Sequence, residues 1–347
     1  MAVLAAVDIG SNAMRLVVAS VDADRAVTIL ESVREPVRLG DDVFTHGSVL
    51  DATIDRAVEA CQRFRQTIDA HDGRWVRAVA TSALREAHNA ELVVDRIATA
   101  ASIDVTVISP EEEARLIHLA VASRLDLPRR PVLLVDIGGG STEITLVRDG
   151  QIVSTESYRM GAVRLMRLGS SGAPRGGDGA QLVREYVDST RRRIKREIGS
   201  EQITLLVGTG GNIETLADLR RSVLGKERDG VLGRDDVETL LRRLQGMSLD
   251  DRIREFRLRP DRADVIVPAA LILRAVMAQA DVSEAAVPRV GLKDGLLLDM
   301  AEELYGGARP LRREQVVASA LQLGRKFQFD EQHAVTVTRH ALSLFDA

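Results

Sequence analysis

Two residues that can only accept hydrogen bonds, Asp136 and Glu143, bracket three consecutive glycines and two hydroxyl residues in the run LLVDIGGGSTEITLV at 133–147. Glycine has no Cβ, so Gly138, Gly139 and Gly140 are expected to bend through positive φ and bring backbone N–H groups close to an anion. Ser141 and Thr142 add hydroxyl donors. Carboxylates beside a polyanion make chemical sense when a divalent cation lies between them, and Mg²⁺ is the default in phosphate chemistry. The string V-D-I-G recurs at 7–10, where Asp8 precedes Gly10, Ser11, Asn12 and then Arg15. A third glycine-rich loop, LVGTGGN at 206–212, supplies Gly210, Gly211 and Asn212. Any one of these loops is open to a plainer reading as a turn between strands. Three in one chain, two of them near copies, point to one phosphate ligand gripped from two sides.

Two further groups carry possible chemistry. Ser82 and Arg85 follow an expected strand at 76–80; a small hydroxyl and an arginine at a strand end suit an anion, while Arg85 alone reads equally well as a surface ion pair. In SPEEEAR at 109–115, Ser109 is an expected N-cap, Pro110 suits the first helical position, and Glu112 completes a capping box. Glu111 favours the helix dipole. Glu113 lies about 100° further round the helix than Glu112. It is either a third dipole-compensating acid or a catalytic base, and the residues alone leave both open.

Holding these groups in place requires strands that end in loops, and helices that cover the strands. Strands are expected at 14–20 and 26–33 around Asp22-Ala23-Asp24, and at 104–108, 151–157 and 285–290. Ile54, Val58, Cys61, Phe64 and Ile68 recur at helical spacing within 51–70, which makes Cys61 a buried small hydrophobe. Asp149-Gly150 is a two-residue hairpin signal. Further helices are expected near 180–198, 234–245, 264–280, 294–305, 311–326 and 331–345. The basic run Arg191–Arg193 with Lys195 and Arg196 reads as a solvated face. The repeated V-D-I-G strings imply a duplicated α/β domain. The polar, proline-bearing segment 123–131 joins the copies, giving domains at 1–124 and 125–307 and a helical extension at 308–347.

At 347 residues, 45% hydrophobic and 28% charged, the composition is that of a globular protein of two domains. A net charge of −4 offers no basic surface for a nucleic-acid polymer. No apolar run approaches the ~18 residues of a membrane span, and the N-terminus lacks the basic region of a signal peptide. The single cysteine cannot form an internal disulfide, so a reducing cytoplasm is expected.

Ordered along the chain are DIGSN at 8–12, ATSALREAHN at 80–89, ISPEEEARLI at 108–117, VDIGGGSTE at 135–143, MGAVRL at 160–165, GTGGN at 208–212, RADVIVP at 262–268 and GLKDG at 291–295. With these motifs the chain resembles the exopolyphosphatase and guanosine pentaphosphate phosphohydrolase (Ppx/GppA) family, a branch of the actin, heat-shock ATPase and sugar-kinase superfamily. The resemblance implies two ribonuclease-H-like domains with an interdomain cleft. It also implies that the glutamate before Ala-Arg, Glu113, is the catalytic base, with Mg²⁺ held by Asp136, Glu143 and Asp8. The substrate would be inorganic polyphosphate or, alternatively, guanosine pentaphosphate; a non-catalytic alarmone or nucleotide sensor is a third reading, and a homodimer is left open. Three positions depart from the family pattern: Ala13, Pro288 and Lys293 stand where serine, serine and arginine are usual. Residues 314–345 resemble the opening of the HD-like domain of longer members, where His333 has no His-Asp partner to form a metal site. An abbreviated groove of that kind leads to an expectation of short or medium polyphosphates, released distributively.

Overall fold

The computed structural model describes residues 1–171, 179–306, 317, 320, 324 and 329–345. Each lobe is built on an apolar strand that is buried on both faces and hands its last residues to a glycine loop. In the first lobe that strand is β1 (Ala2–Ile9), flanked by β2 (Met14–Val21), β3 (Val27–Glu35), β4 (Trp75–Ala80) and β5 (Val105–Val107) in the order β3-β2-β1-β4-β5. Its helices are α1 (Leu39–His46), α2 (Asp51–Ala70), α3 (Ser82–Glu86), α4 (Ala90–Ala101) and α5 (Pro110–Ala122).

The second lobe repeats the plan. Its strands are β6 (Val132–Ile137), β7 (Thr142–Arg148), β8 (Gln151–Tyr158), β9 (Leu205–Thr209), β10 (Val231–Gly233) and β11 (Glu284–Ala286), in the order β10-β11-β9-β6-β7-β8. The helices are α6 (Ala162–Ser171), α7 (Gly179–Ile198), α8 (Gly211–Leu224), α9 (Arg234–Gln245), α10 (Leu249–Phe256), α11 (Pro260–Ala263), α12 (Ile266–Ala280) and α13 (Leu292–Tyr305). A further helix, α14 (Glu331–Phe345), follows. In each sheet the first strand runs antiparallel to the second and parallel to the fourth: β1 pairs this way with β2 and β4, β6 with β7 and β9. The duplication inferred from two V-D-I-G strings is thus a duplicated sheet topology. The registers match as well. Asp8 lies opposite Arg15 across β1 and β2, and Asp136 lies opposite Glu143 across β6 and β7.

Side chains alternate across each sheet, so one face serves a private core and the other a shared one. Ala5, Val7 and Ile9 of β1 pack with Ile54, Cys61 and Phe64 of α2. Leu4 and Ala6 turn the other way, towards Leu116, Ile117 and Ala120 of α5 and Leu296, Leu297 and Met300 of α13. Val132, Leu134, Val147 and Val207 of the second sheet join that same cluster. Helices α5 and α13 therefore lie between the two sheets. Although the chain reaches α13 from the second lobe, this helix packs on β1, β2 and α5.

Several local expectations need correction. The strand expected at 285–290 ends at Ala286, because Pro288 has no N–H to donate and Arg289 sits at φ 58°. The helix expected at 264–280 is α12, which begins at Ile266 after the separate turn α11. Strand β10 and helices α1, α3, α4, α6, α8 and α10 were not anticipated. The capping box at Ser109 is only half formed: its hydroxyl accepts from the Glu112 N–H, but the Glu112 carboxylate turns to Arg115. Asp149 and Gly150 take φ of 52° and 74°, as a type I′ hairpin requires. Most of the helix expected at 311–326 lies outside the described residues. Pro260–Ala280 is long and apolar enough to cross a membrane, but 78% of its apolar window is buried in this fold.

Candidate active site

Between the lobes lies a cavity of about 360 Å³. From the first lobe it is walled by Asp8, Gly10, Ser11, Asn12, Arg15 and Glu113, and from the second by Asp136, Gly138, Gly139, Gly210, Gly211 and Asn212. The three loops singled out by sequence thus meet at one place. Ser82, Arg85, Gly140, Ser141 and Glu143 do not wall the cavity and stand behind it.

The three glycines of VDIGGG do not act through positive φ, since none of them adopts it. They are required by close approach instead. A Cβ on Gly139 would lie 2.9 Å from Ser11 Cβ, and one on Gly140 would lie 1.9 Å from Ser82 Oγ and 2.3 Å from the Phe44 ring, all across the lobe boundary. Positive φ belongs to Gly210, at 89°, which caps α8 and turns the N-terminus of that helix into the cavity. A helix start is a ready anion site, with free N–H groups and the positive end of the dipole.

At one end of the site Glu113, Asp136 and Glu143 bring one carboxylate oxygen each within 4.8 Å of one another. The first residue of the trio comes from the opening turn of α5, and the other two are cross-strand partners on β6 and β7. Arg85 Nη1 donates to Glu113 Oε2 at 3.2 Å and to the Ile108 carbonyl at 2.8 Å; its Nη2 lies 3.9 Å from Glu143 Oε1. Arg85 is therefore neither a surface ion pair nor a free phosphate clamp. Its guanidinium is set against Glu113 and Glu143 of this trio.

The electrostatics follow from burial. Glu113 is pushed well above the usual carboxylate range by burial and then by the Glu143 charge, despite Arg85. Asp136 is raised to about 7 by burial and by Glu143, against the Thr209 hydroxyl that donates to it. Glu143 is also raised by burial, and its Oε2 is buried with no hydrogen-bond partner. A buried carboxylate oxygen without a donor, in a trio short of positive charge, fits a divalent cation. Asp8, the third expected metal ligand, is not part of the trio: Arg15 Nη1 donates to its Oδ2 at 3.1 Å.

The other end of the cavity is cationic, and sequence reasoning missed most of it. Arg34, Arg259, Arg262 and Thr215 line the wall beside Arg15. Arg262 donates to Asn212 Oδ1 and its Nε is buried without a partner. Burial, with Arg15 and Arg34 nearby, lowers it to about 10. The sequence signal was present in RADVIVP, where an arginine follows a Pro-capped helix start, but nothing local shows that this turn faces the glycine loops.

A model of the Ppx/GppA phosphatase family matches residues 17–304. The chain belongs to this family. Exopolyphosphatase 2 of Mycobacterium tuberculosis is 30% identical over 318 residues, spanning 86% of this chain and 98% of that relative. A guanosine-5'-triphosphate,3'-diphosphate pyrophosphatase of Vibrio vulnificus is 25% identical over 345 residues, which are 98% of this chain and 66% of that longer protein. Among solved structures, an exopolyphosphatase of Cytophaga hutchinsonii superimposes with a TM-score of 0.80 at 26% identity, covering 87% of this chain and 98% of that one. The Aquifex aeolicus Ppx/GppA member gives 0.72 at 26% identity, covering 88% and 99%. The fold is accordingly the actin-like one, two α/β lobes with a cleft, as the motifs implied.

Proposed function

We propose that this Ppx/GppA chain hydrolyses the terminal phosphoryl group of inorganic polyphosphate, with Glu113 as general base. The observation that carries the reading is the Glu113 carboxylate: it is 6% exposed, lines the cavity, and has a proton affinity raised well above the ordinary carboxylate range by burial and by Glu143. A base of that strength takes a proton from water more readily than an ordinary carboxylate. The attacking water forms the new P–O bond while its proton passes to Glu113. The bond to the bridging oxygen breaks, and orthophosphate and a chain one unit shorter leave. Backbone N–H groups of the 8–12, 138–141 and 210–212 loops would hold the phosphates. Arg15 and Arg262 would offer charge to the next phosphates, arginine being suited to two-point contact. Asp136 and Glu143 would hold Mg²⁺, which when bound neutralises charge on the transferred oxygens.

The cavity favours polyphosphate over guanosine pentaphosphate, because among the described residues no aromatic side chain lines it to stack a base. The complete Glu113, Asp136 and Glu143 trio supports an enzyme over an alarmone sensor. We also take 1–124 and 125–307 as the two domains, with α13 crossing back onto the first. Phosphate release from medium-chain polyphosphate and from guanosine pentaphosphate, measured side by side with Mg²⁺, tests the reading. A higher kcat/KM for polyphosphate is expected, and a higher value for the nucleotide would overturn the assignment.

A further inference from the structure

We infer that Thr209 and Ser157 set which divalent cation the carboxylate trio takes, by occupying one oxygen each of Asp136 and Glu143 and so limiting both to one-point ligation. The inference rests on the reading of the trio as a cation site. It comes from a row of four residues across the second sheet. Thr209 on β9 is the parallel partner of Asp136 on β6; Asp136 is the antiparallel partner of Glu143 on β7; and Glu143 is the antiparallel partner of Ser157 on β8. Two hydroxyls stand at the ends of the row and two carboxylates in its middle.

Each hydroxyl donates inward. Thr209 Oγ1 donates to Asp136 Oδ1 at 2.6 Å, and Ser157 Oγ donates to Glu143 Oε1 at 2.8 Å. Glu143 Oε2 is left buried and without a donor. Thr209 is 1% exposed, so its hydroxyl has no bulk water to turn to if the carboxylate leaves it. The register of the sheet fixes this division of labour between the oxygens, one for the neighbouring strand and one for a ligand.

Cations differ in what they ask of a carboxylate. Ca²⁺ takes about 6–8 oxygens at ~2.3–2.6 Å and readily uses both oxygens of one carboxylate, whereas Mg²⁺ demands six near-octahedral ligands at ~2.0–2.1 Å and keeps several waters. Asp136, whose second oxygen is engaged by the buried Thr209 hydroxyl, cannot chelate without stranding that hydroxyl, and Glu143 would have to give up its half-buried Ser157 donor to do the same. The row therefore favours Mg²⁺ and works against Ca²⁺.

The test is titration calorimetry of the full chain, stripped of metal and without phosphate, with MgCl₂ and with CaCl₂. Wild type is expected to bind Mg²⁺ more tightly. Thr209→Val and Ser157→Ala should each weaken Mg²⁺ binding by roughly 10-fold or more, the usual effect of removing a group that orients a metal ligand. Ca²⁺ binding should hold or strengthen, so that the preference falls at least as far. Thr209→Ser, which keeps the hydroxyl, should keep the wild-type preference. Circular dichroism of the metal-free proteins checks folding, and Ser157→Ala carries the test should Thr209→Val not fold. An unchanged preference in the folded variants overturns this inference and leaves the cation site standing. Failure of wild type to bind either cation overturns both.

Discussion

Asp136 and Glu143 stand directly opposite each other across β6 and β7, two carboxylates as cross-strand neighbours at the base of a cleft. Like charges in that relation are unfavourable. A proton or a cation held between them relieves the repulsion, and that makes stability depend on pH. Asp136 moves from an ordinary 3.8 to about 7 in the folded chain. The folded state thus holds a proton that the unfolded state has released, so the contribution is full below about pH 4 and lost as pH rises through about 7. Metal-free Asp136→Asn should gain thermal stability relative to wild type as pH climbs from 5 to 7. Melting curves of both proteins across that range check it, and a constant difference between them would show that Asp136 ionises normally.

Glu112 and Glu113 are adjacent but serve different arginines. Arg115 takes both oxygens of Glu112, at 2.7 and 2.8 Å, whereas Glu113 is turned to Arg85 and the cavity. Glu113→Gln is expected to lower kcat by ~10² or more, with phosphate-ligand affinity retained. Glu112→Gln, by contrast, should change it by only a few fold. Steady-state kinetics on polyphosphate of both variants decide the matter; the reverse ranking would put the base at Glu112.

Arg115 and Asp299 form a buried pair between the two shared helices, at 3.0 Å, and Arg77 meets the other Asp299 oxygen at 2.6 Å. Arg115 and Arg77 hold the Asp299 carboxyl below its ordinary range, against the opposing effect of burial, which is the largest single influence on it. Asp299→Ala takes from buried Arg115 its buried partner and leaves it the half-exposed Glu112, so the cost should fall at the lower end of the about 3–5 kcal/mol typical of breaking a buried pair. Urea unfolding should show a loss of that order, and a loss below about 1 kcal/mol, the level of an exposed pair, would mean that water reaches the site.

Gly140→Ala tests the closeness of the lobes. A methyl there meets Ser82 Oγ and the Phe44 ring well inside contact distance. Overpacking of that kind costs typically 1–3 kcal/mol, or else the lobes part. A lower melting temperature, or a larger radius of gyration by small-angle scattering, is expected. Neither change would mean that the cleft normally stands further open.

What was legible in the sequence was whatever is encoded within a few residues. The glycine loops, the α2 stripe of Ile54, Cys61 and Phe64, and the Asp149-Gly150 turn all follow local rules, and the structure contains them. Asp8 and Asp136, named from their loops, and Glu113, named from the family resemblance, line one cavity. Partners contributed from far along the chain were not legible. Whether Asp8 faces a cation or Arg15, and which oxygen of Glu143 is free, depend on strand pairing. Arg262 reaches the site only because α11 docks there. The reason for Gly140 was misjudged for the same cause: its constraint is a neighbour, Ser82, that lies 58 positions earlier in the chain.

The placement of α13 has a consequence for how the chain is made. Leu4, Ala6, Val17 and Val79 present one face of the first sheet to α5 and α13, and those partners include Leu296, Leu297 and Met300. On a ribosome adding ~5–20 residues per second, the first sheet would exist for roughly 10 to 40 s before the last of its cover emerges. The nascent N-terminal half thus carries an apolar face whose lid is still to be synthesised. An N-terminal half expressed alone should be recovered mainly as aggregate, and co-expression of the remainder should rescue it.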